Sequence, residues 1–249
     1  MNSNPNLKPV SSSGRPKQAP KQPSATRLLL VRHGEIEPRH QHTFGGRIDM
    51  NLSARGRAQA RTLAGYLRGQ KIDAIYASPM KRVQQTLAPL LKNGASTLRS
   101  ATPALRSSSA TEGGEDGPAQ TILPALRELD FGDWTGLGWQ AVSERFGFSA
   151  YEWLDQIEFK GAPNGESGKT FRARVEPCLR EIVRRHRGQN VAVFCHGGVI
   201  RMMLAILLDL PLPKTSQFEI EYTSVTRVAL HPHMAEVELL NFTPWRDWT

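Results

Sequence analysis

The chain has 249 residues, of which 39% are hydrophobic and 22% are charged, so it is long enough and apolar enough to bury a sizeable core. Its formal net charge is +9, and more than half of this excess lies in the segment before the first acidic residue, Glu35. The remaining positive charge is spread thinly along the chain. Composition therefore excludes a long basic stripe of the kind that binds nucleic acid, and we expect no nucleic-acid partner.

Membrane insertion and disulfide bonding are also disfavoured. No apolar run approaches the roughly 20 residues that cross a bilayer, and the N-terminus lacks the apolar segment of a secretory signal. The two cysteines, Cys178 and Cys195, have no metal-ligand spacing and are too few for a disulfide framework. We therefore expect a cytoplasmic protein with no membrane contact.

Two polar stretches indicate how the domain is organised. Residues 1–26 are rich in Pro, Ser, Lys and Gln and carry few apolar side chains, which predicts a disordered basic tail. One domain is expected over 27–249. Within it, residues 99–120 are rich in Ser, Gly and acidic residues, which predicts a long surface loop.

Apolar runs and helical spacings alternate along the domain. Short apolar runs predict buried strands at 28–31, 74–77 and 191–195. Helices are expected to begin after Ser53 and at Ser78-Pro79, and to cover 171–186 and 199–208. The helix after Ser78-Pro79 has an expected apolar face, formed by Val83, Leu87, Leu90 and Leu91. A terminal hairpin is expected from 223–230 and 235–242.

This alternation predicts an α/β fold: a single three-layer domain with a mostly parallel central sheet and helices on both faces. In such sheets, ligands bind outside the carboxyl ends of the strands. Three groups of charged and polar residues follow predicted strands, so we expect them to meet at that edge.

The first group is Arg32-His33-Gly34. A histidine directly after a buried strand is held rigidly, and a glycine beside it lets a ligand approach closely. The guanidinium of Arg32 can hold two phosphate oxygens at once. Taken alone, the tripeptide could equally be an exposed Arg-His pair at the start of a loop.

The other two groups repeat this arrangement. Cys195-His196-Gly197-Gly198 follows a strand, and its glycines leave backbone N–H groups free at a helix N-terminus, where anions bind. The segment from Ser78 to Arg82 follows another strand and places Arg82 near the positive end of a helix dipole. A solvated arginine is the alternative there, but two strand-end histidines followed by glycine favour an anion site.

Four ordered motifs resemble the histidine phosphatase superfamily, the group that includes cofactor-dependent phosphoglycerate mutases. The motifs are R-H-G at 32–34, S-P-M-K-R-V-Q-Q-T at 78–86, E-L-D-F-G-D-W-T-G at 128–136 and H-G-G-V-I-R at 196–201. Their order and approximate spacing agree with the family from about residue 27 to about 242. The resemblance implies a phosphoglycerate mutase-like fold.

The resemblance also implies a role for each motif. His33 is the nucleophile, and Glu128 gives a proton to the leaving oxygen. Arg32, Arg82 and His196 surround the transferred phosphoryl group. Such an arrangement suits phosphoryl transfer, which needs positioning and stabilisation of charge, and it implies that no metal or other cofactor is required.

Further segments resemble the phosphatase branch and, within it, α-ribazole phosphatases. They are Phe44-Gly45-Gly46-Arg47, Phe131-Gly132-Asp133-Trp134 and Pro163-Asn164-Gly165-Glu166. We therefore expect hydrolysis of a small phosphorylated metabolite, for example one similar to α-ribazole phosphate, through a phosphohistidine. Substrate contacts are expected from four residues: Gly197, Arg39, Gly46 and Glu166.

One departure and one set of aromatic residues bear on the substrate. Many relatives have Thr and Asn where this chain has Ile36 and Arg39, so Arg39 could reach a polar part of the substrate or lie in a solvated loop. Several aromatic residues could stack on a ring or cover the core: Trp134, Trp139, Tyr151 and Trp153.

Several alternatives stay open at this point. The chain could be a phosphoglycerate mutase-type phosphotransferase or a non-catalytic module that binds phosphoesters. Residues 195–201 fit C-x-x-G-x-x-R, the phosphate loop of cysteine-dependent phosphatases, with Cys195 as nucleophile, but this leaves Arg32-His33 without a role. A metal site from Glu35, His33, His40 and His42 has no recognisable ligand spacing. The oligomeric state is not predicted.

Overall fold

A computed structural model describes residues 25–92 and 120–248 of the chain, apart from the side chain of Ala150. The tail expected at 1–26 therefore lies almost wholly outside the described residues, as does the loop expected at 99–120. Both boundaries need correction, because Thr26 belongs to the first strand and Gln120 belongs to the third. Each of these residues is held by pairing with a neighbouring strand.

The described residues form one six-stranded sheet with the order β3-β2-β4-β1-β5-β6. Strands β1 to β4 run parallel to one another, whereas β5 pairs antiparallel with both β1 and β6. Their bounds are β1 Thr26–Arg32, β2 Ala74–Ala77, β3 Gln120–Ile122, β4 Asn190–Cys195, β5 Val225–Leu230 and β6 Ala235–Phe242. The mostly parallel sheet predicted from the sequence is confirmed.

Seven α-helices lie in the described part of the chain. They are α1 Ala54–Arg68, α2 Lys81–Lys92, α3 Trp139–Phe146, α4 Trp153–Phe159, α5 Gly168–Arg185, α6 Gly197–Leu207 and α7 Pro244–Asp247. Short 3-10 turns at Pro38–His40, Pro124–Leu126, Gly132–Trp134, Ala150–Glu152 and Leu212–Gln217 connect them. None of these helices is long and apolar enough to cross a membrane.

Two hydrophobic clusters, one on each face of the sheet, make the three layers. Successive residues of a strand point to opposite faces, and Leu28 and Leu30 of β1 pack in one cluster while Leu29 and Val31 pack in the other. Helices α5 and α6 cover the first face, and α1 and α2 cover the second. The single α/β domain with helices on both faces is therefore confirmed.

Several element boundaries differ from the sequence predictions. Helix α2 begins at Lys81 and not at Ser78-Pro79, because its first backbone hydrogen bonds run from the Val83 and Gln84 N–H groups to the Met80 carbonyl. Leu91, expected on the apolar face of α2, is 39% exposed. Helix α6 begins at Gly197, two residues earlier than predicted, and β5 begins at Val225 after a turn in which Thr223 has a positive φ of 55°.

Candidate active site

The His33 ring is fixed at the carboxyl end of β1, in the centre of the sheet. Its backbone N–H donates to the Cys195 carbonyl at 3.1 Å, and its own carbonyl accepts from the Thr223 N–H at 3.1 Å. The ring atom Nδ1 lies 2.8 Å from the Gly34 carbonyl oxygen. Because a carbonyl can only accept, Nδ1 carries the proton. The other ring nitrogen, Nε2, therefore keeps its lone pair.

Gly34 is required here by close contact between backbones. A side chain on Gly34 would meet the Gly56 carbonyl oxygen at 2.8 Å, because helix α1 passes directly over this turn. The Gly34 N–H donates to the Thr86 hydroxyl at 2.9 Å, which ties the turn to helix α2. The R-H-G and S-P-x-x-R-x-x-x-T motifs are therefore joined by a direct hydrogen bond.

Arg82 lies beside Nε2 of His33. It is 2% exposed, and its Nε donates to His33 Nε2 at 3.2 Å. Its two terminal nitrogens donate to backbone carbonyls, Nη1 to Ile48 at 2.8 Å and Nη2 to Gly46 at 2.9 Å. Burial lowers the Arg82 pKa to about 10, so the guanidinium stays charged at neutral pH. The loop at 46–48 thus fixes the orientation of this cation.

Arg32 is held by the segment before β5. Its Nη1 donates to the Ile220 carbonyl at 2.6 Å, and its guanidinium carbon lies 4.2 Å from the centre of the Tyr222 ring. Its Nε is buried without a hydrogen-bond partner among the described residues. A phosphoryl oxygen could satisfy this donor.

The Tyr222 segment is itself held by the end of the chain. The Trp245 indole N–H donates to the Tyr222 carbonyl at 3.2 Å, and Arg246 forms an ion pair with Glu221 at 2.8 Å. Both Trp245 and Arg246 belong to α7. The position of Arg32 therefore depends on residues that are more than 200 positions away in the sequence.

His196 is fully buried behind His33, with ring centroids 5.3 Å apart. Its Nε2 lies 2.8 Å from the Ser78 hydroxyl, and its Nδ1 has no partner within the described residues. If the Ser78 hydroxyl donates to Nε2, Nδ1 carries the proton and is left as a free donor. Burial, followed by the charge of Arg82, lowers the His196 pKa well below its ordinary value.

The same forces act on His33. Burial lowers its pKa well below the ordinary value of 6.5, and the charges of Arg82 and Arg32 lower it further. A protonated imidazolium beside two guanidinium groups would be strongly disfavoured. The ring is therefore neutral at physiological pH, which is the state that a nucleophile needs.

Glu128 lies at the N-terminus of α6. The Gly198 N–H donates to its Oε2 at 3.3 Å, and the Leu129 N–H donates to its Oε1 at 3.0 Å. A side chain on Gly198 would meet Oε1 at 2.5 Å and would therefore displace the carboxylate from this position. The third and fourth motifs of the sequence therefore meet here.

A cavity of about 370 Å³ brings most of these groups to one space. Its cationic part contains His33 and the guanidinium groups of Arg32, Arg82 and Arg201, with Glu128, Gly46 and Gly197 beside them. Its other part contains aromatic side chains, namely Phe44, Phe131, Trp139, Trp153 and Tyr222. His196 contacts the site from behind His33 and is absent from this lining.

Two residues expected to touch the substrate do not line the cavity. Arg39 is bonded to Glu37 at 3.0 Å on an exposed turn, with 72% of its side chain exposed. Glu166 is held by Arg174 in a two-pronged ion pair with distances of 2.7 and 2.8 Å. The expectation that they bind substrate is therefore not supported by their positions. Each side chain is held by its own ion-pair partner, Arg39 by Glu37 and Glu166 by Arg174.

Glu166 and Arg174 instead support the Glu128 segment. Arg174 donates to the backbone carbonyls of Ala125 at 2.8 Å, Arg127 at 2.9 Å and Glu128 at 3.3 Å. The Glu166 carboxylate also accepts from the Asp130 N–H at 2.9 Å. This pair connects both sides of Glu128 to helix α5.

The rival nucleophile, Cys195, faces the core. It is fully buried with the residues of the α5 and α6 face, and it does not line the cavity. Burial raises the pKa of its thiol well above the ordinary value, so a reactive thiolate is disfavoured. Among residues 25–92 and 120–248, no group of three or more His, Cys, Asp or Glu side chains is placed to hold a metal ion.

Sequence reasoning missed Arg201 and Tyr222 as site residues. Arg201 ends the fourth motif and lies one helical turn after Gly197, so its spacing could have placed it on the same face of α6. Burial, followed by the charge of Arg32, lowers its pKa to about 10. Tyr222 lies in a segment with no recognisable motif, and only the tertiary structure brings it to Arg32.

Comparison with protein families gives one clear match. The model of the histidine phosphatase superfamily, branch 1, matches residues 28–106 and 95–243 of the chain. Phosphoserine phosphatase 1 of Hydrogenobacter thermophilus is 29% identical over 87% of this chain and 92% of its own length. The adenosylcobalamin/α-ribazole phosphatase of Salmonella typhimurium is 27% identical over 86% and 96%.

Solved structures and one further relative agree with this match. A structure titled mycobacterial hydrolase 1 superposes with a TM-score of 0.71 at 25% identity, covering 88% of this chain and 99% of its own. The α-ribazole phosphatase of Shigella flexneri, at 24% identity and a TM-score of 0.68, shares the fold over 87% and 96%. A phosphoglycerate mutase of Bartonella quintana is 30% identical over 72% of this chain and 80% of its own length. The chain therefore belongs to the histidine phosphatase superfamily, branch 1.

Proposed function

We propose that the chain is a phosphatase that hydrolyses a small-molecule phosphate monoester through a phosphohistidine at His33. The observation that carries this proposal is the state of the His33 ring. Its Nδ1 proton is fixed by the Gly34 carbonyl, which leaves the lone pair on Nε2, and the residue lines a cavity together with Arg32 and Arg82. The relatives named above as phosphatases support hydrolysis as the reaction.

In the first step, the Nε2 lone pair attacks phosphorus, and the bond from phosphorus to the alcohol oxygen breaks. Arg32 and Arg82 stabilise the charge on the equatorial oxygens. Glu128 gives a proton to the leaving oxygen and becomes a carboxylate, so the product is a neutral alcohol. His196 packs its neutral ring against that of His33, with centroids 5.3 Å apart, and so helps to position the nucleophile.

In the second step, the Glu128 carboxylate takes a proton from a water molecule, and the water oxygen attacks phosphorus. The bond from phosphorus to Nε2 breaks, which returns His33 to its starting state and releases inorganic phosphate. The three arginines supply positive charge that a metal would otherwise supply, so we expect hydrolysis to continue in excess chelator. A location in the cytoplasm fits the two unpaired cysteines.

A variant pair tests the nucleophile. With p-nitrophenyl phosphate as substrate, we expect His33→Ala to lose hydrolysis and Cys195→Ser to keep most of it. The opposite pattern would make Cys195 the nucleophile. Transfer of the phosphoryl group to an added alcohol in preference to water would instead favour a phosphotransferase. Binding of phosphate esters without any turnover would indicate a binding module.

A further inference from the structure

The aromatic part of the cavity has no role in the chemistry at phosphorus. Phe44, Phe131 and Trp153 form a cluster. The ring centroids of Phe44 and Phe131 are 5.1 Å apart, and those of Phe131 and Trp153 are 5.5 Å apart. Phe44 and Phe131 are at most 7% exposed, so they serve mainly as packing. Trp139 differs from them because it lines the same cavity and is 40% exposed.

The position of Trp139 is fixed by backbone pairing. The Phe44 N–H donates to the Leu137 carbonyl, and the Gly136 N–H donates to the Phe44 carbonyl, both at 2.9 Å. Trp139 begins helix α3 two residues after Leu137. Its indole stacks on the Phe44 ring, with centroids 5.7 Å apart and planes 28° apart. An indole held in this way is a preorganised surface for a second flat ring.

The charges of the cavity restrict what that ring can carry. Glu128 has the only carboxyl group among the described residues that line the cavity, whereas three guanidinium groups line it. An alcohol with an ammonium group, such as serine, would lie among these cations, and Glu128 is already used for proton transfer. An uncharged ring avoids this repulsion and covers apolar surface of the indole.

We infer that the alcohol half of the substrate carries a planar, uncharged aromatic ring that stacks on the indole of Trp139. The inference rests on the proposed function for the phosphate end of the cavity. It names the class of ester that this active site selects: a ring-bearing alcohol in preference to an amino acid or a bare sugar.

Matched substrates test this selection. Three of the esters carry the phosphate on the same ribose carbon: ribose 5-phosphate has no aromatic ring, whereas adenosine 5′-phosphate and α-ribazole 5′-phosphate each have one. The fourth ester, O-phosphoserine, carries an ammonium group and no ring. We expect kcat/KM to be at least about 10-fold higher for a ring-bearing ester than for ribose 5-phosphate. O-phosphoserine should be no better than ribose 5-phosphate. Equal values for all four esters, or a preference for O-phosphoserine, would overturn the inference and leave the phosphatase activity established.

Variants separate stacking from a structural role. We expect Trp139→Ala to lower kcat/KM about 10-fold for the ring-bearing esters and to leave ribose 5-phosphate within about twofold, while Trp139→Phe keeps most of the preference. Phe159→Ala is the matched control, because Phe159 is an aromatic residue that is 77% exposed and outside the cavity lining. An equal loss for every ester in Trp139→Ala would mean that Trp139 only holds the fold together.

Measurements of ester binding test the ring site independently of turnover. We expect the His33→Ala protein to bind α-ribazole 5′-phosphate more tightly than ribose 5-phosphate in calorimetric titrations, and the added Trp139→Ala change to remove the difference. If none of the esters is hydrolysed by the unmodified protein, the proposed function fails, and these titrations still decide whether the ring site exists. Equal affinities would contradict it.

Discussion

The Nε atom of Arg82 lies 3.2 Å from Nε2 of His33 and donates a hydrogen bond to the lone pair that the proposed reaction uses. The proposed nucleophile is therefore paired with the cation that is proposed to bind the phosphoryl group. A phosphoryl oxygen that accepts this N–H in place of Nε2 would free the lone pair. Binding and activation of the nucleophile would then be one event.

Arg82→Lys tests this relationship. The planar guanidinium of Arg82 donates to the Gly46 carbonyl, the Ile48 carbonyl and His33 at once, and an ammonium group cannot reproduce this geometry. The substitution therefore removes both the fixed orientation of the cation and its hydrogen bond to His33. We expect kcat/KM to fall by about 10²- to 10³-fold, as for the loss of one oxyanion donor. Arg180→Lys, on the exposed side of α5, should change kcat/KM less than about twofold. Equal effects of the two changes would refute the role of Arg82.

The buried histidines predict how stability depends on pH. The pKa values of His33 and His196 are well below 6.5 in the folded protein, whereas in the unfolded chain they return to about 6.5. Between these values, the unfolded chain binds more protons than the folded one, so the free energy of unfolding decreases as the pH falls below about 6.5. The slope approaches about 1.4 kcal/mol per pH unit for each histidine.

Urea denaturation at several pH values between about 7.5 and 5.5 measures this slope. In His33→Gln one of the two histidines is missing, and we expect a clearly shallower slope than in the unmodified protein. An unchanged slope would show that His33 is not held neutral by the fold.

The Glu166–Arg174 pair predicts an effect that depends on the leaving group. In Arg174→Lys the bonds to the backbone on both sides of Glu128 are weakened, which displaces the proposed proton donor. We expect the first-turnover rate of alcohol release from an alkyl phosphate to fall about 10-fold or more, and the first-turnover burst of nitrophenolate from p-nitrophenyl phosphate to fall much less, because nitrophenolate leaves without a proton. Arg172→Lys, on the same helix, is the control. A uniform fall for both esters would mean that Arg174 acts only on stability.

The C-terminal helix predicts an effect on phosphate binding. Trp245→Phe removes the N–H that holds the Tyr222 carbonyl, and the Tyr222 ring holds the guanidinium of Arg32. We expect the inhibition constants of inorganic phosphate and vanadate to rise about 3- to 10-fold, the loss expected for one hydrogen bond. Trp248→Phe is the matched control, since Trp248 packs on Tyr66 at the far side of α7. Equal inhibition constants in the Trp245→Phe and Trp248→Phe proteins would contradict a positioning role for Trp245.

Local sequence signals were sufficient for five of the six described strands and for the centre of the site, whereas β3 was not predicted. The strand at 74–77 was predicted with its observed bounds, and His33 and His196 were placed at the carboxyl ends of β1 and β4. Such signals succeed because a buried parallel strand needs a continuous apolar run. The end of that run then fixes the position of the residue that follows the strand. The position of Arg32 follows from the same rule, whereas that of Arg82 follows from its place in the first turn of α2.

The residues that support the site could not be predicted in this way. The role of Glu166 depends on Arg174, which lies two turns into α5 and reaches the 125–128 segment only in the folded chain. Arg39 was expected at the substrate because of its place after the nucleophile, but a neighbouring carboxylate, Glu37, binds it in the exposed turn. Contacts of this kind depend on tertiary packing and side-chain rotamers, which no local pattern specifies.

Rapid-quench trapping of the covalent intermediate tests the central claim most directly. The protein is mixed with a ³²P-labelled phosphate ester, quenched at high pH within milliseconds, and mapped by mass spectrometry. We predict label on the His33 ring that is stable to alkali and lost in acid, present in Cys195→Ser and absent in His33→Ala. Label on Cys195, or full turnover of His33→Ala, would contradict the account.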